Sequence, residues 1–321
     1  MNKLLTGVRL RPYPNTQIGA LGGLLDAVGR PLEAHELWGK TGAAFAATID
    51  LVFSPGAAYE ANLFDLIPLW ESIGAWFRHR RTRRDSPDFD AARAEGIARI
   101  RESIDGGRPA IAYELGGLYE YGLVVGYDAE RFAVLTLASP EEPVWQRIAD
   151  WPTGFQHARA EVITLLDIAP GFDERKADRQ ALRAAVDGFW APPSPDMWLQ
   201  HGIKAWEFWT MTLGSSLPLH GAPGLGHSFA IKLFHAARAN AEQYLLACAA
   251  RYPEAPTLAE AAAAANRTVG RLAEVAEMLP FPGEKEMTRD LRDDLCAILR
   301  IATDEEREMI EQIERALRHL R

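Results

Sequence analysis

Pro109-Ala110-Ile111-Ala112-Tyr113-Glu114, Glu120-Tyr121-Gly122-Leu123-Val124-Val125-Gly126-Tyr127 and Arg131-Phe132-Ala133-Val134-Leu135-Thr136-Leu137 decide the fold class. Each run is short, apolar and marked by β-branched or aromatic residues, the composition of a strand. Only Asp128-Ala129-Glu130 separates the last two. A parallel pair needs a crossover of about a dozen residues or more, so links this short predict antiparallel pairing. Upstream, helix signals dominate. Thr16–Val28 puts Ile18, Leu21, Leu24 and Leu25 at helical spacing, with Gly29 as the stop. Pro31–Lys40 and Leu63–Ser72 predict two more helices, and Ala75–Arg83 a strand. Ser86-Pro87 predicts a helix start, with Ser86 as cap and Pro87 in the first position, running to about Ile104. Helices followed by an antiparallel meander make an α+β domain.

Beyond Asp173 the strand signals stop and Ala- and Leu-rich helical patterns take over, which predicts an all-α second domain. The expected division is 1–168 and 169–321, with the proline-bearing Phe189–Met197 as a connector. Thr257-Leu258-Ala259-Glu260 and Thr303-Asp304-Glu305-Glu306 have capping-box spacing and predict helix starts. The last helix carries Met309, Ile310, Ile313, Leu317 and Leu320 on one face.

The 321 residues are 48% hydrophobic and 25% charged, an ordinary globular balance. With 35 basic against 44 acidic residues the formal charge is −9, which disfavours nucleic acid, since phosphate binding is driven by Lys and Arg. Two cysteines, Cys248 and Cys296, are too few for a disulfide framework or a zinc cluster. Met1–Leu10 lacks the apolar core of a signal peptide, and charges or prolines interrupt every apolar run before membrane-spanning length. A cytoplasmic protein with no membrane partner and no cofactor is expected.

Thr16–Gly29, Thr41-Gly42-Ala43-Ala44-Phe45, Gly107-Arg108-Pro109 and Glu120–Asp128 occur in an order that resembles the papain-like cysteine-peptidase superfamily, bacteriocin-leader peptidase type. They are also similar to the amino-terminal domain of the butirosin-biosynthesis acyltransferase family. Gly226-His227-Ser228-Phe229 and the helix through Arg238 and Tyr244-Leu245-Leu246 resemble the helical extension in relatives of that acyltransferase. The resemblance implies a papain-like first domain with a thiolate nucleophile at the start of the first helix, whose N-terminus lowers the thiol pKa. It also implies a His base at the start of a core strand and a group that orients it. Here Thr16 stands where Cys is implied, Glu120 where His is implied, and Ser139 near the orienting position. A threonine hydroxyl is a poor nucleophile without a base in reach, so peptidase chemistry is not expected.

Two functions follow from this departure. One is a degenerate, non-peptidase member that binds a small molecule or an acyl carrier in the old cleft, around Thr16, Thr41, Phe45, Glu120 and Tyr121, with Trp206 and His227 as further ligand contacts. The other is an acyl- or amide-transferring enzyme like the butirosin family, with Glu120 as acid/base and Thr16 as nucleophile. Glu120 also has the plain reading of a strand-end carboxylate paired with an Arg. A pure assembly role is a third class.

Other motifs carry competing readings. Arg78, Arg80, Arg81, Arg83 and Arg84, with His79 among them, suit an anionic ligand, or more simply an edge strand charged against aggregation. Alternation puts Arg78 and Arg80 on one face and His79 and Arg81 on the other. Trp198, Trp206 and Trp209, with His201 and Phe208, suit an aromatic wall that binds flat or sugar-like ligands or, more simply, the core of the seam between the two expected domains. His220, His227 and His235 lack the ligand pattern of zinc helices, and Gly221–Gly226 lacks the Lys-Ser/Thr ending of a phosphate loop.

Overall fold

The computed structural model describes residues 3–50, 53, 63–117, 120–152, 159–192, 199–214, 223–282 and 286–320. In chain order the first half contains β1 (Lys3–Leu4), α1 (Thr16–Ala27), α2 (Ala34–Lys40), β2 (Thr48–Asp50), α3 (Leu63–Ser72), β3 (Ala75–Arg83), α4 (Phe89–Asp105), β4 (Ala110–Tyr113), β5 (Tyr121–Tyr127), β6 (Arg131–Thr136), β7 (Ser139–Arg147) and β8 (Arg159–Ile168). The rest contains α5 (Glu174–Phe189), β9 (Leu199–His201), α6 (Gly202–Gly214), α7 (Pro223–Arg251), α8 (Thr257–Met278) and α9 (Arg289–Leu317). The chain is thus mixed α and β, with an antiparallel sheet. Two compact units divide it: Met1–Glu33 with Gly74–Gly171, and Ala34–Ile73 with Phe172–Arg321. The segment Ala34–Ile73 therefore packs with the helical second half, a long-range pairing that no local pattern announces.

The first unit is a seven-stranded antiparallel sheet in the order β3-β8-β4-β5-β6-β7, with β1 paired to β5. Strand alternation sorts its side chains onto two faces. On one face Ala110, Ala112, Val124, Phe132, Val134, Ala160 and Val162 pack with Ile100 and Ile104 of α4 around Trp151. Gly96 lets α4 approach closely, since a Cβ there would meet Val162 Cγ2 at 3.1 Å. On the other face lies α1, whose Ile18, Leu21, Leu24 and Leu25 are buried. Gly19 and Gly23 of α1 admit the backbone oxygens of Arg11 and Arg9, where a side chain would clash. Both readings of the arginine run meet the same geometry: β3 is an edge strand. Arg78 and Arg80 reach Glu102, Asp88 and Glu95 on one side of it, and His79 pairs with Glu161 on the other.

Three helix starts differ from expectation. The helix expected from Ser86-Pro87 begins at Phe89, with Asp88 in the cap position. Asp88 makes no cap hydrogen bond because its carboxylate accepts from Arg80 Nη2 at 2.6 Å and Thr82 Oγ1 at 3.2 Å. Thr257 opens α8 without capping it and donates instead to the Gln312 carbonyl at 2.9 Å. Thr303 begins nothing: α9 runs straight through it, its hydroxyl donates to Leu299 O, and Glu306 is taken by a buried arginine. Tertiary partners outcompete the local cap in each case. Strands β7 and β8 were also not expected from the sequence.

Among its described residues the second unit is helical apart from β2 and β9, which pair antiparallel, so the expected all-α half carries one strand there. Its interior holds two ionic clusters. Arg238 grips Glu306 with both Nε and Nη2, at 2.6 and 2.7 Å, and donates through Nη1 to Ala44 O at 2.7 Å. Asp178 pairs with Lys40, accepts from the hydroxyls of Tyr244 and Tyr252 at 2.7 Å each, and meets Arg251 Nη2 at 3.0 Å. Lys40, Asp178, Arg238 and Glu306 are all essentially inaccessible to water. Met309, Ile310, Ile313, Leu317 and Leu320 are buried, as the helical spacing predicts.

Candidate functional site

The N-terminus of α1 anchors a polar cluster on the α1 side of the sheet. Asn15 caps the helix by accepting the Ile18 N–H at 3.2 Å. Thr16, the first helical residue, is buried, and its Oγ1 accepts the Tyr121 N–H at 3.0 Å. Half-buried Glu120 immediately precedes that residue. The loop from β4 to β5 is closed by Glu114, which takes the left-handed conformation (φ 58°) and donates its N–H to Glu120 O at 2.9 Å. Its carboxylate accepts the Arg159 N–H at 3.0 Å. The chain thus bonds the Thr16 hydroxyl to the backbone of Tyr121, the residue after Glu120.

Arg159 and Glu161, two apart on β8, extend the cluster along the same face. The Arg159 guanidinium lies 3.9 Å from the centre of the Tyr113 ring and donates to the Tyr121 hydroxyl at 3.2 Å. Its Nε sits 2.8 Å from Glu161, whose other oxygen is 2.9 Å from His79 Nε2. Burial works against a charge on Glu161, yet the His79 hydrogen bond and the Arg159 and Arg81 charges outweigh it and hold the carboxyl below its ordinary value. Burial, with Glu161 nearby, pushes the Tyr121 phenol well above its ordinary value, so it stays protonated. The cluster is therefore an ionised carboxylate and a guanidinium braced by tyrosine faces, and it offers no ready proton donor from Tyr121.

Glu114, Arg159 and Glu161 are not among the residues the sequence points to, and His79 enters there only as part of the arginine run. The available signal was Arg159-Ala160-Glu161 at the head of an apolar run: charges two apart on a strand share a face, and an inward face forces them to find partners.

Thr41, Phe45, Trp206 and His227 lie in the second unit. Thr41 is buried at the end of α2 and donates to Leu37 O at 2.6 Å, a helix-terminal bond. Phe45 packs edge-on to Tyr244. Trp206 is wholly buried among Trp209, Phe234 and the Arg238 guanidinium. His227 lies against Phe53, with ring centres 4.1 Å apart and planes tilted by 40°, and accepts the Trp209 indole N–H through Nδ1 at 3.0 Å. Its proton is thereby placed on Nε2, which has no hydrogen-bond partner among the described residues. Burial, then the Arg292 charge, lowers the His227 pKa to about 4. Ser139 sits on β7 and donates to Glu142 O. Trp198, His220 and Gly221 lie outside the described residues. Among the described residues no group of three or more His, Cys, Asp or Glu is placed to hold a metal ion.

No protein-family model matches the chain. No curated protein matches it at a significant level either. No described helix is long and apolar enough to cross a membrane.

Proposed function

We propose that the chain is a papain-like protein that has lost peptidase chemistry and binds a small molecule or an acyl-carrier partner beside Thr16, Glu120 and Tyr121. One observation carries this reading: Thr16 Oγ1 accepts the Tyr121 N–H, so the oxygen at the head of α1 serves as a strut between helix and strand. Neither cysteine substitutes for it. Cys248 and Cys296 are buried in the second unit, burial and Asp178 push the Cys248 thiol up to about 12, and burial raises that of Cys296. A neutral thiol is neither nucleophile nor metal ligand. The half-buried Glu120 favours an amino-bearing or otherwise cationic group in the ligand.

The test is a pair of assays on the purified chain. Peptide amides and acyl thioesters should show no turnover, while titration with amino-bearing small molecules or a charged acyl-carrier protein should give saturable binding that Glu120→Gln weakens about tenfold. Acyl transfer that disappears in both Thr16→Val and Glu120→Gln overturns the binding-only reading. It would favour the second one, in which Glu120 acts as acid/base on a Thr16 nucleophile held within one residue of it.

A further inference from the structure

Helix α5 is sorted by its spacing. Asp178, Ala181, Leu182 and Ala185 are buried, while Arg179, Arg183 and Asp187 point to the open side. Those three line a cavity of about 610 Å³ whose other wall comes from Leu69 of α3 and from Leu317 and Leu320 at the end of α9. All of these residues belong to the second unit, and none belongs to the Thr16 cluster. The size falls in the range of small-molecule sites, about 300–1,000 Å³.

Two other arginines of this unit are ion-paired. Arg175 on the same helix meets Glu254, and Arg251 meets Glu36 and Asp178. Among the described residues neither Arg179 nor Arg183 has a carboxylate or hydrogen-bond partner, although the chain carries nine more acids than bases. One turn apart on a helix, two like charges repel. Placed over three leucines, they present a positive rim on an apolar floor, and two guanidinium forks one turn apart can share the oxygens of one anion. Asp187, one turn beyond Arg183, closes the far end with negative charge and directs an anionic head towards Arg179.

We propose that this cavity binds an amphipathic anion, a carboxylate or phosphate ester with an apolar tail. The head bridges Arg179 and Arg183, and the tail lies on Leu69, Leu317 and Leu320. Both head groups share the same chemistry, a planar or tetrahedral set of oxygens facing the two forks.

Isothermal titration of the full chain with octanoate, octyl phosphate and the neutral 1-octanol tests it. The expected result is one-site saturable binding of at least one anion, about tenfold weaker in Arg179→Gln/Arg183→Gln, with octanol weaker by a similar factor. The stronger of the two anions identifies the head group. Ala184→Phe, which fills the cavity and leaves both arginines, should abolish binding without changing the thermal midpoint of the free protein. Absence of saturable binding by either anion overturns the proposal. So does an affinity unmoved by the double substitution, or octanol binding as tightly as the anions.

Discussion

In the second unit Asp178 is approached by Lys40, Arg251 and two tyrosine hydroxyls, and the groups come from α2, α5, α7 and the turn after α7. In the first unit Glu161 faces His79 and Arg159, both carried by β8 or by the strand beside it. The first arrangement ties separate helices together through one carboxylate, so its loss dismantles a packing scheme. The second rests on a sheet already held by backbone hydrogen bonds, so its loss moves side chains more than it moves the fold. Buried charge acts as a fastener in one unit and as positioning for Arg159 and Tyr121 in the other.

That contrast can be broken most directly at Asp178. Asp178→Asn takes from Lys40 and Arg251 the one fully buried carboxylate they share and leaves them Glu36, and breaking the buried part of this cluster should cost about 3 kcal/mol in urea unfolding. A loss under about 1 kcal/mol would remove the distinction between the two units. His227 sharpens it from the other side, as a buried titratable group with no ionic partner. Its folded pKa of about 4 lies below the ordinary 6.5, so the unfolded chain binds the proton more readily. Its contribution is complete above pH 6.5 and is lost as the pH falls to 4, on the order of 3 kcal/mol. His227→Gln should flatten the stability profile in that window.

Glu161→Gln is expected to cost less than Asp178→Asn, about 2 kcal/mol, because charge-assisted bonds go but the sheet ladder remains. The Glu161 contribution is present above the ordinary carboxylate range and disappears as acid titrates it through its lowered folded pKa, so the variant should lose acid sensitivity there. The smallest effect belongs to Thr16→Val, which strands the Tyr121 N–H and should cost about 1 kcal/mol by the same measurement.

Much of this fold is legible locally. Leu63–Ser72 and Ala75–Arg83 form over the expected residues, and α1, β4, β5 and β6 differ only at their ends. Their signals survive because β4, β5 and β6 are short apolar runs buried on both faces and α1 is buried along nearly its whole length. β8 escapes because Arg159 and Glu161 occupy inward positions that alternation reserves for apolar residues, and β7 because its side chains are largely exposed. Thr16, Glu120 and Tyr121 come from order along the chain, whereas the His79–Glu161 pair joins residues 82 positions apart. Only strand pairing reveals it. The same holds for Glu306, whose capping-box spacing is real and whose partner Arg238 lies on another helix.

The outermost strands of the sheet have one more consequence. β7 carries Pro140 and Pro143, which lack the N–H an incoming strand would need, and the Pro140 carbonyl already receives the Leu10 N–H at 2.8 Å. At the far side β3 presents Arg78, Arg80 and Arg83. Copies of this chain crowded together meet two guarded edges, β7 by its prolines and β3 by its charges, so growth of a shared sheet from the native fold is disfavoured at both ends.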